Sequence, residues 1–299
     1  MGILAIAAAA SILNACGLFG SNSVYTRAVS TASVDEDSSR YIQAMMQAGS
    51  TGGFWIAADP VEFVNVATGR TPTLRVRQRV PYHRFPTAYP WQADFRIEPL
   101  SDAHAIVVRT DDCRLFESYN TTYADGVLSA YSGAIWSLGT PFVPLPGGEP
   151  SAMASGLSLY AGMVRPEEVA SGAIRHALNW AAPAGTVAQW KFVRPASDAE
   201  GIPFKGSSAY TLPYGAHLRL RASFDTSRFG PQSAAIAQAM KTYGIYLADT
   251  ARENELYDAS PLSDGPNPWN APDLAALAAI HVSDLEVLSL GRSERVPGR

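Results

Sequence analysis

A carboxylate beside a tyrosine on an alternating strand is one way a protein presents an acid or a nucleophile to a sugar, and Glu117 stands in such a run, Leu115-Phe116-Glu117-Ser118-Tyr119. Alternation places Leu115, Glu117 and Tyr119 on one face and Phe116 and Ser118 on the other. Glycoside chemistry needs a pair of acid/base groups, and two partners offer themselves for Glu117. Asp249 closes the apolar run 244–248 where a loop is expected, a place for a functional carboxylate or for a loop cap. His176 shares a strand face with Ile174 and Leu178, which suits a hydrogen-bonded core histidine or a general base. Glu117 itself could equally be a strand-face acid paired with a neighbouring Arg. Arg175 and Arg221 could face an acidic sugar or a nearby Asp, and Trp136 and Tyr119 offer planes on which a sugar ring could stack, although most Trp in a layered β fold are core. Asp225, just before Ser227, reads as a turn cap, and His104 as the entry to an apolar strand.

Other chemistries lack their residues. The sequence has no Gly-x-Ser-x-Gly elbow, no glycine-rich phosphate loop and no His-x-x-x-His spacing, so no cofactor and no metal are expected. With 23 basic against 27 acidic residues the net charge is −4, which argues against binding nucleic acid by bulk charge. The basic side is almost all Arg, and Arg75, Arg77 and Arg79 would line one face of the alternating run 74–80.

These groups must be positioned mostly by strands. Glycines number 24 and prolines 21, turn punctuation that suits many short strands. Further strands are expected at 54–58, 104–108, 114–119, 128–138, 173–180, 187–193, 217–223, 244–248 and 285–290, with a long Pro/Gly-rich loop at 140–150. Helical spacing marks 38–49, a turn or two from Pro166 closed by Gly172, the run 231–243 stopped by Gly244, and 273–280 entered through Pro272. The expected fold is mainly β: a β-sandwich of jelly-roll type, one domain over 38–299, with a few short helices in its connections.

The N-terminus suggests a destination. The apolar, Ala-rich run 2–13 is too short to span a bilayer and suits a signal-peptide core, despite lacking a preceding Lys or Arg; translation would then start upstream of Met1. Leu13-Asn14-Ala15-Cys16-Gly17 resembles a bacterial lipobox, which implies lipidation of Cys16, a membrane anchor in the bacterial cell envelope, and a flexible tether over 17–37. Cys113 would then be a buried singleton. A buried N-terminal helix with an incidental Cys is the competing reading.

Several longer runs, among them Cys113-Arg114-Leu115-Phe116-Glu117-Ser118-Tyr119-Asn120, Gly172-Ala173-Ile174-Arg175-His176-Ala177-Leu178, Leu218-Arg219-Leu220-Arg221-Ala222-Ser223-Phe224-Asp225 and Tyr243-Gly244-Ile245-Tyr246-Leu247-Ala248-Asp249, resemble a family of secreted bacterial proteins of unassigned activity over about residues 89–290. The resemblance implies a common fold and a common cleft. Here Asp249 is followed by Thr250-Ala251 where the family tends to Asn-Gly, and Ser197-Asp198 stand where it places a His. Two functions therefore compete: a glycoside hydrolase or polysaccharide lyase using Glu117 with Asp249 or His176, and a non-catalytic lipoprotein that binds glycan or another envelope component.

Overall fold

The structure is a computed structural model that describes residues 16–81, 83–261 and 267–299. The signal-peptide segment expected over 1–16 lies outside the described residues apart from Cys16. The chain is mainly strands, arranged in several sheets with a few short helices.

The central sheet has six strands in the order Phe54–Trp55, Asn254–Leu256, Leu178–Pro183, Ile245–Ala251, His217–Leu220 and Leu285–Val287. It is mixed. Leu178–Pro183 runs parallel to Ile245–Ala251 and antiparallel to Asn254–Leu256. A jelly roll is built from antiparallel strands, so the central sheet departs from the expected type. The helix Pro231–Thr242 connects His217–Leu220 to Ile245–Ala251; it has Pro at its first turn, and its first free N–H groups are met from another segment by Asp273, which accepts from Gln232 N (2.8 Å) and Ser233 N (3.2 Å). Asp273 itself belongs to the short helix Ala271–Leu274, which continues as a 3-10 turn, Ala275–Ala279.

A second sheet orders Ser132–Ser137, Arg114–Tyr119, Ala105–Arg109 and Val64–Ala67. Its two inner strands are buried on both faces. Ile106, Val108, Leu115, Ala134 and Trp136 join the large core shared with the central sheet, while Ala105, Val107 and Phe116 join a smaller core with Tyr89, Trp91 and Leu128. Burial on both faces explains why Ala105–Arg109 is apolar without alternation. It also fixes the direction of Glu117, which shares the face of Leu115 and therefore points into the large core.

Three expectations are corrected here. The run 74–80 is not one ladder: it divides into Thr73–Arg75 and Arg77–Gln78, which pair with different strands on either side of the buried Val76. Residues 17–37 are no flexible tether, since Leu18, Phe19, Tyr25 and Val29 are buried and Phe19 and Tyr25 pack on Phe142. Cys113 is no singleton, because its sulfur is bonded to that of Cys16. A sulfur in a disulfide cannot also carry a thioether-linked lipid, so the anchor expected on Cys16 is set aside.

Candidate functional site

Glu117 is fully buried and already occupied. Its carboxylate accepts from Ser158 Oγ (2.9 Å), Leu159 N (3.0 Å) and Tyr160 N (2.7 Å) at the start of the short helix Leu159–Gly162. Burial pushes its pKa up to about 7 against the pull of those donors. The helix lies close over the central sheet because Gly162 leaves no Cβ to strike Asn179, whose side chain donates to Ser158 O (2.8 Å). Glu117 is thus a bolt between the two sheets and has no path to a substrate.

His176 is also buried, elsewhere. Its Nε2 lies 2.7 Å from Arg165 Nη2 and 3.1 Å from the Glu168 carboxylate, and its Nδ1 lies 2.9 Å from Ala177 O. Arg165, 2% exposed, also donates to Tyr160 O (2.7 Å). Burial alone would raise the Glu168 carboxyl, but Arg165 and His176 hold it down to about 2. A carboxyl depressed by folding contributes stability above its unfolded pKa, near 4.5, which is lost as the pH falls towards 2. Glu168→Gln is therefore expected to lower the melting temperature at pH 6 while flattening its fall between pH 4.5 and 2, as thermal melts across that range would record.

The remaining expected site residues scatter. Trp136 is core, packed on Phe19 and Phe142 with its Nε1 donating to Val143 O (3.2 Å), so it offers no plane to a ligand. Arg175 and Arg221 are exposed and border no common cavity with Asp249. Asp225 caps its own turn, accepting from Ser227 N (2.9 Å), as the sequence suggests.

Asp249 and Tyr119 do meet, in a cleft of about 1020 Å³. Asp249 is not at a strand end as expected: the strand continues to Ala251, and its register against Leu178–Pro183 shifts between Trp180 and Ala181. Such a bulge re-aims a side chain. Asp249 Oδ2 accepts from Ala154 N (2.9 Å) and Oδ1 from Thr250 N (2.8 Å). Opposite stand Tyr119, which ends its strand, and Tyr131, their rings edge to face with centroids 6.0 Å apart. Rings continue on either side, His83 5.1 Å from Tyr131 and His104 5.8 Å from Tyr119.

The cleft also holds acids that sequence reasoning passed over, Asp198 and Glu200. They sit in an irregular segment anchored by Ser155, whose carbonyl accepts from Ser197 N (2.8 Å) and Asp198 N (3.1 Å). Glu200 Oε2 accepts from Tyr214 OH (2.9 Å) and from Thr250 Oγ1. Burial and then the Glu200 charge push Asp249 up to about 7; burial, joined by Glu149 and Glu200, pushes Asp198 up to about 6. The only sequence signal for this wall was the departure at Ser197-Asp198. Arg79, Arg299, Trp190 and a further acid, Asp102, also line the cleft.

No family model, curated protein or solved structure matches the chain. The cleft combines a carboxyl pushed up to about 7, a second acid close by, half-buried aromatic rings and two guanidinium groups, a set able to exchange protons with a hydroxyl-rich ligand and to stack against its rings.

Proposed function

We propose that the protein is an exported glycan-processing protein whose cleft uses Asp249 and Glu200 as its acid/base pair, Tyr119 and Tyr131 as stacking surfaces, and Arg79 and Arg299 to favour acidic sugars. The observation that carries this reading is Asp249, which follows a bulge at Ala248, lines a large cleft and is pushed up to about 7 beside Glu200. General acid/base cleavage needs two such groups on one ligand, and Glu200 lines the same cleft as Asp249. Export is supported by the Cys16–Cys113 disulfide, which persists in oxidising compartments, and by the resemblance to secreted bacterial proteins. Glu117 and His176 no longer take part, because neither faces the cleft.

The test is a panel of neutral and acidic polysaccharides, assayed for new reducing ends and for unsaturated products, with the wild type and Asp249→Asn. Turnover lost in the variant with binding retained supports the assignment; turnover unchanged removes it. Binding by the wild type with no turnover would leave a glycan-binding module in its place.

The same variant has a stability signature of opposite sign. A carboxyl whose pKa is raised by folding destabilises the fold as the pH rises from its unfolded value, near 3.8, through about 7. Asp249→Asn is therefore expected to melt higher than the wild type at pH 8 and nearly alike at pH 4. A variant that melts lower at pH 8 would show that the side chain is there for the fold.

A further inference from the structure

A separate cluster lies behind the cleft wall. Glu62, Glu98 and His104 come from three distant parts of the chain, yet one ligand atom of each lies within 4.8 Å of the others. Glu98 and His104 are each 5% exposed and Glu62 is half-buried. The backbone holds them firmly: Glu98 N donates to His104 O (2.9 Å), His104 N to Glu98 Oε2 (2.9 Å), and Ser260 N to Glu62 O (3.0 Å).

The decisive group is the His104 ring. Its Nε2 lies 3.1 Å from Ala152 O, and a carbonyl only accepts, so that nitrogen carries the proton. Its Nδ1 is turned to the carboxylates and lies 2.7 Å from Glu98 Oε2. Metal-binding histidines use one nitrogen on the ion while the other donates to a carbonyl or carboxylate that fixes the ring. Negative charge is in surplus around it: Glu255 and Asp258 both feel Glu62, and the buried Oδ2 of Asp258 has no hydrogen-bond partner.

We propose that Glu62, Glu98 and His104 bind one divalent transition-metal ion of the zinc class. One imidazole with two carboxylates favours such an ion over calcium or magnesium, which take oxygen ligands throughout. Three protein ligands leave a coordination position open, and His104 is also part of the cleft wall. The ion would tie the segments around Glu62 and Glu98 to the strand Ala105–Arg109. This inference stands apart from the glycan reading, and its test does not use turnover.

Untagged protein is stripped with a chelator, then titrated with zinc chloride in competition with a chromogenic chelator. Metal content is read by mass spectrometry after gel filtration, and melting temperature with and without zinc. Expected are one zinc per chain, a higher melting temperature with zinc, and affinity weakened at least about 100-fold in His104→Ala and Glu98→Gln, since loss of outer partners alone costs roughly 10–100-fold. Glu62→Gln, at a half-buried position, removes a ligand with little risk to the fold and should also weaken uptake; Asp225→Asn, on a distant exposed turn, should not. Less than stoichiometric uptake by the stripped wild type, or affinity unchanged in Glu62→Gln and His104→Ala, overturns the proposal and leaves a buried His104–Glu98 ion pair.

Discussion

Glu117→Ala is expected to lose about 3–5 kcal/mol of unfolding free energy, the cost of stranding buried polar groups and opening a cavity together. Three donors depend on that one carboxylate: Ser158 Oγ, Leu159 N and Tyr160 N. None has water to turn to, because Ser158, Leu159 and Tyr160 are themselves buried. Glu117→Gln keeps an accepting oxygen and should lose less. Urea unfolding followed by tryptophan fluorescence measures both. The contrast with a catalytic role is sharp: whatever fraction of either variant folds should keep the ligand affinity of the wild type. A variant as stable as the wild type but without activity would return Glu117 to the list of reacting groups.

Losing the Cys16–Cys113 bond should cost a comparable amount. The cross-link closes a span of 97 residues, and restraint of the unfolded chain by loops of this size contributes about 2–5 kcal/mol, in a manner that depends on how the unfolded state is described. Reduction of the wild type, or Cys16→Ser, should lower the midpoint of unfolding by that amount, and the segment carrying Phe19 and Tyr25 should lose protection from hydrogen exchange first. The intact protein should show no thiol reactive to a maleimide in denaturant before reduction and two after it. Two reactive thiols without reduction would restore the alternative in which Cys16 is free to be acylated.

Much of the local structure was legible. Proline in the first turn and a left-handed glycine after the last marked Pro166–Ser171, with Gly172 at φ 73°. The strand Arg114–Tyr119 follows its alternation, and its faces were read correctly. Alternation says which residues share a face, however, and not what lies across from it. Glu117 faces a helix start and Tyr119, two residues on, faces a cleft. His176 was readable as a core histidine, but the buried Arg165 that engages it is eleven residues away with no periodicity to announce it.

The site itself was mostly illegible for three physical reasons. A bulge, which turns Asp249 into the cleft, leaves no mark in hydrophobic spacing. Asp198 and Glu200 occupy irregular backbone held by hydrogen bonds to Ser155, so no period of two or of 3.6 locates them. The disulfide joins residues almost a hundred positions apart, and nothing in the local sequence of Cys16, which only resembles a lipobox, points to a partner at that distance.

The central claim is that the cleft between Asp249 and the Tyr119–Tyr131 pair, and no other surface, receives the ligand. It is tested most directly by isothermal titration of the tightest-binding oligosaccharide from the polysaccharide panel into the wild type, Tyr131→Ala and the double variant Arg175→Ala/Arg221→Ala. The expected result is affinity reduced at least about tenfold by Tyr131→Ala, on the scale of about 1–3 kcal/mol for a lost stacking ring, and unchanged in the double Arg variant. Undiminished binding by Tyr131→Ala together with loss in the double variant would place the ligand on the outer surface and contradict the account.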